Sequence, residues 1–162
     1  MPTVRPLAPA HEAAAEALLD ATVAGRHQAR LGEVVDVLAL PGAGAWEGDR
    51  LVGVVTWSPP GPDGRAELAV LAVAPEHQGR GVGAALVEHC AAEAGRLGAS
   101  TLWLLTTNDN LDALRLYQRH GFRLAALHPG AIDAARRVKP QIPVVGRHGI
   151  PLRDELVLER SL

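Results

Sequence analysis

The segment with the clearest chemical meaning is a glycine-rich stretch, Gln78-Gly79-Arg80-Gly81-Val82-Gly83. It follows an apolar run that ends at Val73 and leads directly into Ala84, which predicts a strand, a tight loop and the N-terminus of a helix. Glycines leave successive backbone N–H groups unobstructed, and the first turn of a helix carries partial positive charge. This segment therefore predicts a cradle for the bridging phosphates of a nucleotide-containing cofactor.

The spacing of the glycines discriminates between cofactors. A nucleoside triphosphate loop requires Lys and then Ser or Thr after its last glycine, and Ala84 and Ala85 stand there instead, which disfavours ATP. Gly79, Gly81 and Ala84 do fit the dinucleotide pattern G-x-G-x-x-A, but the residues from Pro75 separate strand from glycines, and no acidic residue follows about 20 positions later. A dinucleotide site and a tight turn before a capped helix both stay open on this motif alone.

A second motif extends from Asn110 to Phe122 and fits N-x-x-A-x-x-x-Y-x-x-x-G-F at every position. The first motif matches Q/R-x-x-G-x-G/A through Gln78, Gly81 and Gly83, behind a strand that ends in Val-x-Pro. In this order the two motifs resemble the signatures of the GNAT superfamily of acyl-CoA-dependent N-acyltransferases. The resemblance covers roughly residues 65 to 125 and implies acetyl-CoA as the acyl-donor cosubstrate.

The rest of the pattern predicts one α+β domain over residues 1–162, with a GNAT-type mixed and mostly antiparallel sheet, splayed at its centre and flanked by helices. Alternating apolar runs, turns and helix-terminating residues set the boundaries, while residues 24–41 are ambiguous. Strands are expected at 4–7, 43–47, 50–58, 65–73, 101–106, 122–128 and 156–158, and helices at 9–23, 81–97, 107–120 and 131–138.

The resemblance also implies a cofactor site between the strands that end at Val73 and Thr106. The N–H of Leu71 would face the thioester carbonyl as an oxyanion donor, Val73 would pair with pantetheine, and the loop would hold the pyrophosphate. Asn108 and Asn110 are candidates for pantetheine contacts, and asparagines at such positions also cap helices. The full set of predicted cofactor-binding residues is Leu71, Ala72, Val73, Gln78, Gly79, Arg80, Gly81, Val82, Gly83, Ala84, Asn108, Asn110, Ala113 and Tyr117.

Acetyl transfer to an amine needs a base for the ammonium and an acid for the departing thiolate. Tyr117, the only tyrosine, stands where related enzymes carry the residue that protonates the sulfur, and packing against the cofactor is its alternative role. Glu67 stands eleven residues before Gln78, the offset of the base in histone-type members of the superfamily, and an ordinary charged strand residue is the alternative. Cys90 is predicted to be a buried apolar residue, so we expect the acetyl group to pass directly from acetyl-CoA to the amine.

The acceptor is a small-molecule or peptide amine whose identity the sequence leaves open. The segments expected to select it are residues 20–42 and 129–155. Asp154 and Glu155 precede the closing strand, where one of them is predicted to bind the acceptor's cation, and a solvated turn is the alternative. A catalytically silent acyl-CoA-binding module of the same fold is the competing function.

Composition argues against several other classes of protein. The net charge is −2 and the basic residues are scattered, so we expect no nucleic-acid partner. No run of 18 uncharged apolar residues predicts a membrane span, so a cytoplasmic protein is expected, as a monomer or homodimer. One cysteine and the absence of histidine–carboxylate metal motifs predict that no metal is bound.

Overall fold

The computed structural model describes residues 1–162 and contains nine strands and four α-helices. The strands are β1 (Thr3–Pro6), β2 (His27–Arg30), β3 (Glu33–Asp36), β4 (Gly42–Glu47), β5 (Arg50–Trp57), β6 (Arg65–Val73), β7 (Thr101–Thr107), β8 (Arg123–His128) and β9 (Glu155–Ser161). The helices are α1 (Glu12–Thr22), α2 (Val82–Arg96), α3 (Leu111–Arg119) and α4 (Ala131–Val138). Each predicted strand and helix is present, and the boundaries differ by a few residues at most.

Seven strands form one sheet in the order β1-β4-β5-β6-β7-β9-β8, and β2 and β3 form a separate hairpin. All neighbouring strands of the large sheet are antiparallel except β6 and β7. The crossover between these two is α2, as a parallel connection requires. The predicted mixed, mostly antiparallel sheet flanked by helices is confirmed.

Side chains on the two faces of the sheet build separate apolar clusters. The larger one joins α2 to the sheet through Leu86, Val87 and Cys90, and it includes Tyr117 of α3. On the opposite face, Leu19 of α1 packs with a smaller cluster from β6. No helix is long and apolar enough to cross a membrane.

The ambiguous region 24–41 contains the β2–β3 hairpin, hereafter the hairpin. Its strand residues are mostly polar or partly exposed, so no apolar alternation marked them in the sequence. The tip, Leu31 and Gly32, has positive φ at both positions, which allows the chain to reverse in two residues. The ammonium group of Lys139, at the end of α4, donates to the carbonyls of Ala24 and His27 and so ties the base of the hairpin to α4.

Candidate active site

The central feature of the sheet is an opening between β6 and β7. These parallel strands pair only from Arg65 with Thr101 to Glu67 with Trp103, and the partner register ends there. Beyond this point β6 continues along β5 and β7 continues along β9, so the two halves of the sheet diverge. We call the opening, bounded by residues 68–73 and 104–107, the gap.

Backbone polar groups of both strands are directed into the gap. In an antiparallel pair, alternate residues bond to the neighbouring strand, and Ala74 donates to Val52 of β5 (2.9 Å). Leu71 and Val73 are out of phase with Ala74, so their backbone N–H and C=O groups are directed toward the β7 side. The same alternation applies to β7 and β9, where the N–H of Asn108 donates to the carbonyl of Asp154 (3.1 Å). Leu105 is out of phase with Asn108, so its backbone groups are directed toward β6.

Ala72, also predicted to contact the cofactor, is in phase with the bonded residues, so its backbone groups are directed toward β5. Its side chain is buried in the cluster on the α1 face. Its neighbour Val73 has a carbonyl that accepts from the side-chain amide of Gln78 (3.0 Å), which joins the strand end to the glycine-rich loop. The N–H of Val73 is thus the polar group at this position that remains directed into the gap.

The glycine-rich loop is an array of free backbone donors at the N-terminus of α2. The N–H groups from Gly79 to Ala84 have no acceptor within the chain, and the first helical bond is donated by Ala85 to Gly81. Gly79 and Gly81 both have positive φ, 72° and 85°, which side chains rarely tolerate. This geometry, with the helix dipole behind it, fits a diphosphate.

Tyr117 contributes its ring from α3 to the wall of the same opening. The residue is 6% exposed, and its ring packs edge-on against Phe122 at 5.5 Å. Burial, with the Cys90 thiol nearby as a smaller effect, raises the pKa of the Tyr117 phenol above its usual value, so the phenol keeps its proton at neutral pH. Burial likewise raises the pKa of Cys90 to about 12, which leaves this thiol inert.

The two asparagines have distinct local roles. Asn108 donates through Nδ2 to the Pro151 carbonyl and accepts through Oδ1 from the N–H groups of Arg153 and Asp154. The second N–H of Nδ2 has no partner within the chain, so the cofactor contact of Asn108 stays a prediction.

Asn110 is the N-cap of α3, because its Oδ1 accepts the N–H of Ala113 (3.3 Å). The same oxygen also accepts from Arg147 (3.2 Å), and Asn110 lines the cavity at the gap. Ala113, another predicted cofactor residue, belongs to this first turn and packs against the larger core.

The opposite face of the gap carries charged groups under the hairpin. Arg30 of β2 forms an ion pair with Glu67 of β6, and the two side chains are only 12% and 15% exposed. Arg30 also donates to the carbonyl of Ala69 (2.7 Å). Ala69 is unpaired in the register of β5 and β6 and forms a β-bulge there. Arg30 therefore holds both Glu67 and the bulge.

The two acids before the closing strand have different surroundings. Asp154 accepts the N–H of Gly130 (2.9 Å), which joins it to the loop before α4. Glu155 is 3% exposed and accepts only a long bond from the N–H of Leu31 (3.4 Å), at the tip of the hairpin. Burial raises the pKa of Glu155, and Leu31, Arg30 and His128 offset part of this effect.

These groups meet around one cavity of about 250 Å³. Its lining residues are Val23, Gln28, Ala29, Arg30, Leu68, Ala69, Val70, Leu71, Leu105, Thr106, Thr107, Asn110, Tyr117, Arg147 and Glu155. Leu71, Asn110, Tyr117 and Glu155 are thus brought together as predicted site residues, whereas Glu67 and Asp154 are not part of the lining. Sequence reasoning did not identify Arg30 or Arg147, because each lies in a segment without a recognisable motif.

Comparison with known proteins agrees with this geometry. The model of the acetyltransferase (GNAT) family matches residues 14–122. The uncharacterised protein YdhI of Bacillus subtilis is 32% identical over 116 residues, which cover 72% of this chain and 70% of YdhI. Streptothricin acetyltransferase of Streptomyces lavendulae is 38% identical over 96 residues, which cover 59% of this chain and 50% of that enzyme. The match thus spans half the length of that relative.

Among solved structures, a Bacillus subtilis acetyltransferase in complex with CoA superimposes with a TM-score of 0.79. The comparison covers 100% of this chain and 99% of that one at 23% sequence identity. The likeness at this level of identity concerns the fold.

Proposed function

Because the chain belongs to the GNAT acetyltransferase family, we propose that it is an N-acetyltransferase that moves an acetyl group from acetyl-CoA directly to a primary amine. The acceptor is a small-molecule or peptide amine. We also propose that residues 1–162 act as one acetyltransferase domain. The cytoplasmic location and the monomeric or homodimeric state stay predictions.

The observation that carries this proposal is the continuity of the gap with the glycine-rich loop. The free backbone groups of Leu71 and Val73 in the gap can pair with the amides of a pantetheine arm. This backbone pairing requires no particular side chain at either position. The unpaired N–H groups from Gly79 to Ala84 lie at the end of the same strand and suit the pyrophosphate. Together these features fit CoA better than a dinucleotide, for which the acidic ribose partner is missing from the sequence.

The proposed reaction uses groups on both faces of the gap. The N–H of Leu71 stabilises the oxyanion that forms when the neutral amine attacks the thioester carbon. The carbon–sulfur bond then breaks, and Tyr117 donates its phenolic proton to the sulfur, a step for which its raised pKa keeps it protonated. One proton of the acceptor's ammonium passes beforehand to a carboxylate on the hairpin face, where Glu67 and Glu155 are the candidates. The second nitrogen proton is lost as the tetrahedral adduct collapses to the amide, and it restores the phenol of Tyr117 through solvent.

A catalytically silent acyl-CoA-binding module is the second candidate function, and the cofactor side of the gap suits both. The presence of Tyr117 and Glu155 in the cavity lining favours an enzyme, because cofactor binding alone requires no acid or base at the cavity. Neither group is needed to hold the pyrophosphate.

Two measurements test the proposal. Acetyl-CoA at about 100 times its Kd should stabilise the protein by roughly 2.7 kcal/mol, which raises the melting temperature by about 5–10 °C, whereas NAD should not. A panel of amines should then show acceptor-dependent release of free CoA thiol. A melting shift without thiol release would favour the silent module, and a shift with NAD but not with CoA would refute both.

A further inference from the structure

We propose that Glu155 is the general base of the reaction, and that the ion pair of Arg30 with Glu67 positions the β6 bulge beside it. This inference rests on the proposed acetyltransferase function and assigns its missing residue. Glu155 takes one proton from the acceptor's ammonium, which leaves the nitrogen lone pair free to form the C–N bond of the tetrahedral adduct, and the C–S bond then breaks. This first nitrogen proton resides on Glu155, and the phenolic proton of Tyr117 resides on the sulfur. The second nitrogen proton is lost as the adduct collapses to the amide, and it returns to the Tyr117 phenolate through solvent.

The position of Glu155 satisfies the geometric requirement for this role. It is the first residue of β9 and pairs with Thr107 of β7, at the end of the strand where the gap is open. Its side chain lines the cavity that Tyr117 and Leu71 also line. The base, the oxyanion donor and the acid are therefore arranged around one space, as a direct transfer requires.

The bonding of Glu155 is sparse for a buried carboxylate. Its single hydrogen bond is the long one from Leu31, while a carboxylate has room for about four. A buried charged group is normally paired. An incoming ammonium would provide the missing partner, and Glu155 is the one carboxylate residue that lines the cavity.

Glu67 is bonded differently, although it lies on the same face. Its carboxylate already has a cationic partner in Arg30, and it is not among the residues that line the cavity. Arg30 simultaneously holds the Ala69 carbonyl at the bulge. This bulge precedes Leu71 by two residues, so the pair has a clear positioning role for the oxyanion donor.

The charges around Glu155 also set its affinity for protons. Arg30 from β2 and His128 from β8 favour the carboxylate, and Arg147 lies across the same cavity. Burial outweighs these effects and raises the pKa of Glu155. A base works best when its pKa approaches the working pH, so this direction suits the role.

The test is a pH profile of acetyl transfer by variants of the full chain with an acceptor from the amine panel. Glu155→Gln should lower kcat/KM about 10²–10⁴-fold at neutral pH, and the loss should shrink as pH rises and free amine becomes abundant. Glu155→Ala should regain part of its activity with added formate, which replaces the lost carboxylate. Glu159→Gln is the matched control, because it removes a carboxylate charge from the same strand, β9, outside the cavity, and it should stay within about twofold of wild type.

The outcomes separate the two levels of the argument. Thiol release by wild type together with an unchanged rate and pH profile in Glu155→Gln would overturn the assignment of the base and leave the acetyltransferase function standing. A pH-dependent loss in Glu67→Gln that exceeds that in Glu155→Gln would transfer the role to Glu67. No acetyl transfer by wild type to any amine of the panel would overturn the proposed function and this inference together.

Discussion

Replacing Arg30 by methionine removes the only cation paired with Glu67 and retains most of the apolar volume of the side chain. Both partners are almost buried, at 12% and 15% exposure, so Glu67 would keep its charge without compensation. Breaking a buried ion pair by deleting one partner costs about 3–5 kcal/mol. For a chain of this size, that loss corresponds to a fall in melting temperature of roughly 6–20 °C.

The double variant Arg30→Met/Glu67→Gln separates the charge effect from packing. It removes the uncompensated carboxylate and should recover about 1–3 kcal/mol of the loss.

Urea unfolding monitored by circular dichroism measures these differences, and Arg96→Met provides the control. Arg96 pairs with Glu93 on the surface of α2, where its side chain is 66% exposed, so its replacement should cost less than about 1 kcal/mol. A loss for Arg30→Met no greater than that of Arg96→Met would refute the view that Arg30 neutralises a buried carboxylate.

Three further predictions concern the cofactor side of the site. Gly81→Asp should abolish the melting shift that acetyl-CoA causes, because a φ of 85° favours glycine and the free N–H groups favour an anion of the cosubstrate over a carboxylate of the chain. Melting scans with and without acetyl-CoA check this. Tyr117→Phe should keep CoA affinity within severalfold but lower kcat about 10²–10⁴-fold, and steady-state kinetics would show an unchanged kcat if the phenol only packs. Cys90, with its pKa raised to about 12, should react with iodoacetamide at pH 7.5 only after unfolding in urea, and rapid labelling of the folded protein would contradict its burial.

The cofactor side of the molecule was predictable because its determinants are local in sequence. Glycine spacing from Gln78 to Gly83 predicted a loop whose positive φ angles and free N–H groups the structure shows. The apolar run that ends at Val73 predicted β6 with the bounds that the structure shows, Arg65 to Val73. The asparagine motif predicted α3 and placed Tyr117 three-quarters of the way along it.

The acceptor side was less accessible to this reasoning. Residues 24–41 carry no clear periodicity, so the hairpin was not predicted, and Arg30 with it. Its contacts with Glu67 and Ala69 join positions almost forty residues apart, and nothing in the local sequence around any of the three specifies them.

The sequence by itself determined the strands and helices outside the hairpin, the mixed sheet and the glycine-rich loop before α2, because backbone propensity, glycine spacing and apolar periodicity act over a few residues. Only the tertiary structure decided which carboxylate is paired and which is free. Glu67 and Glu155 are equivalent as residue types, and they differ because Arg30 of the hairpin is ion-paired with Glu67, whereas Glu155 accepts one long hydrogen bond from Leu31 and is affected by Arg30 only through its charge. Burial and charge pairing are properties of the assembled face, and they set the chemistry of each acid.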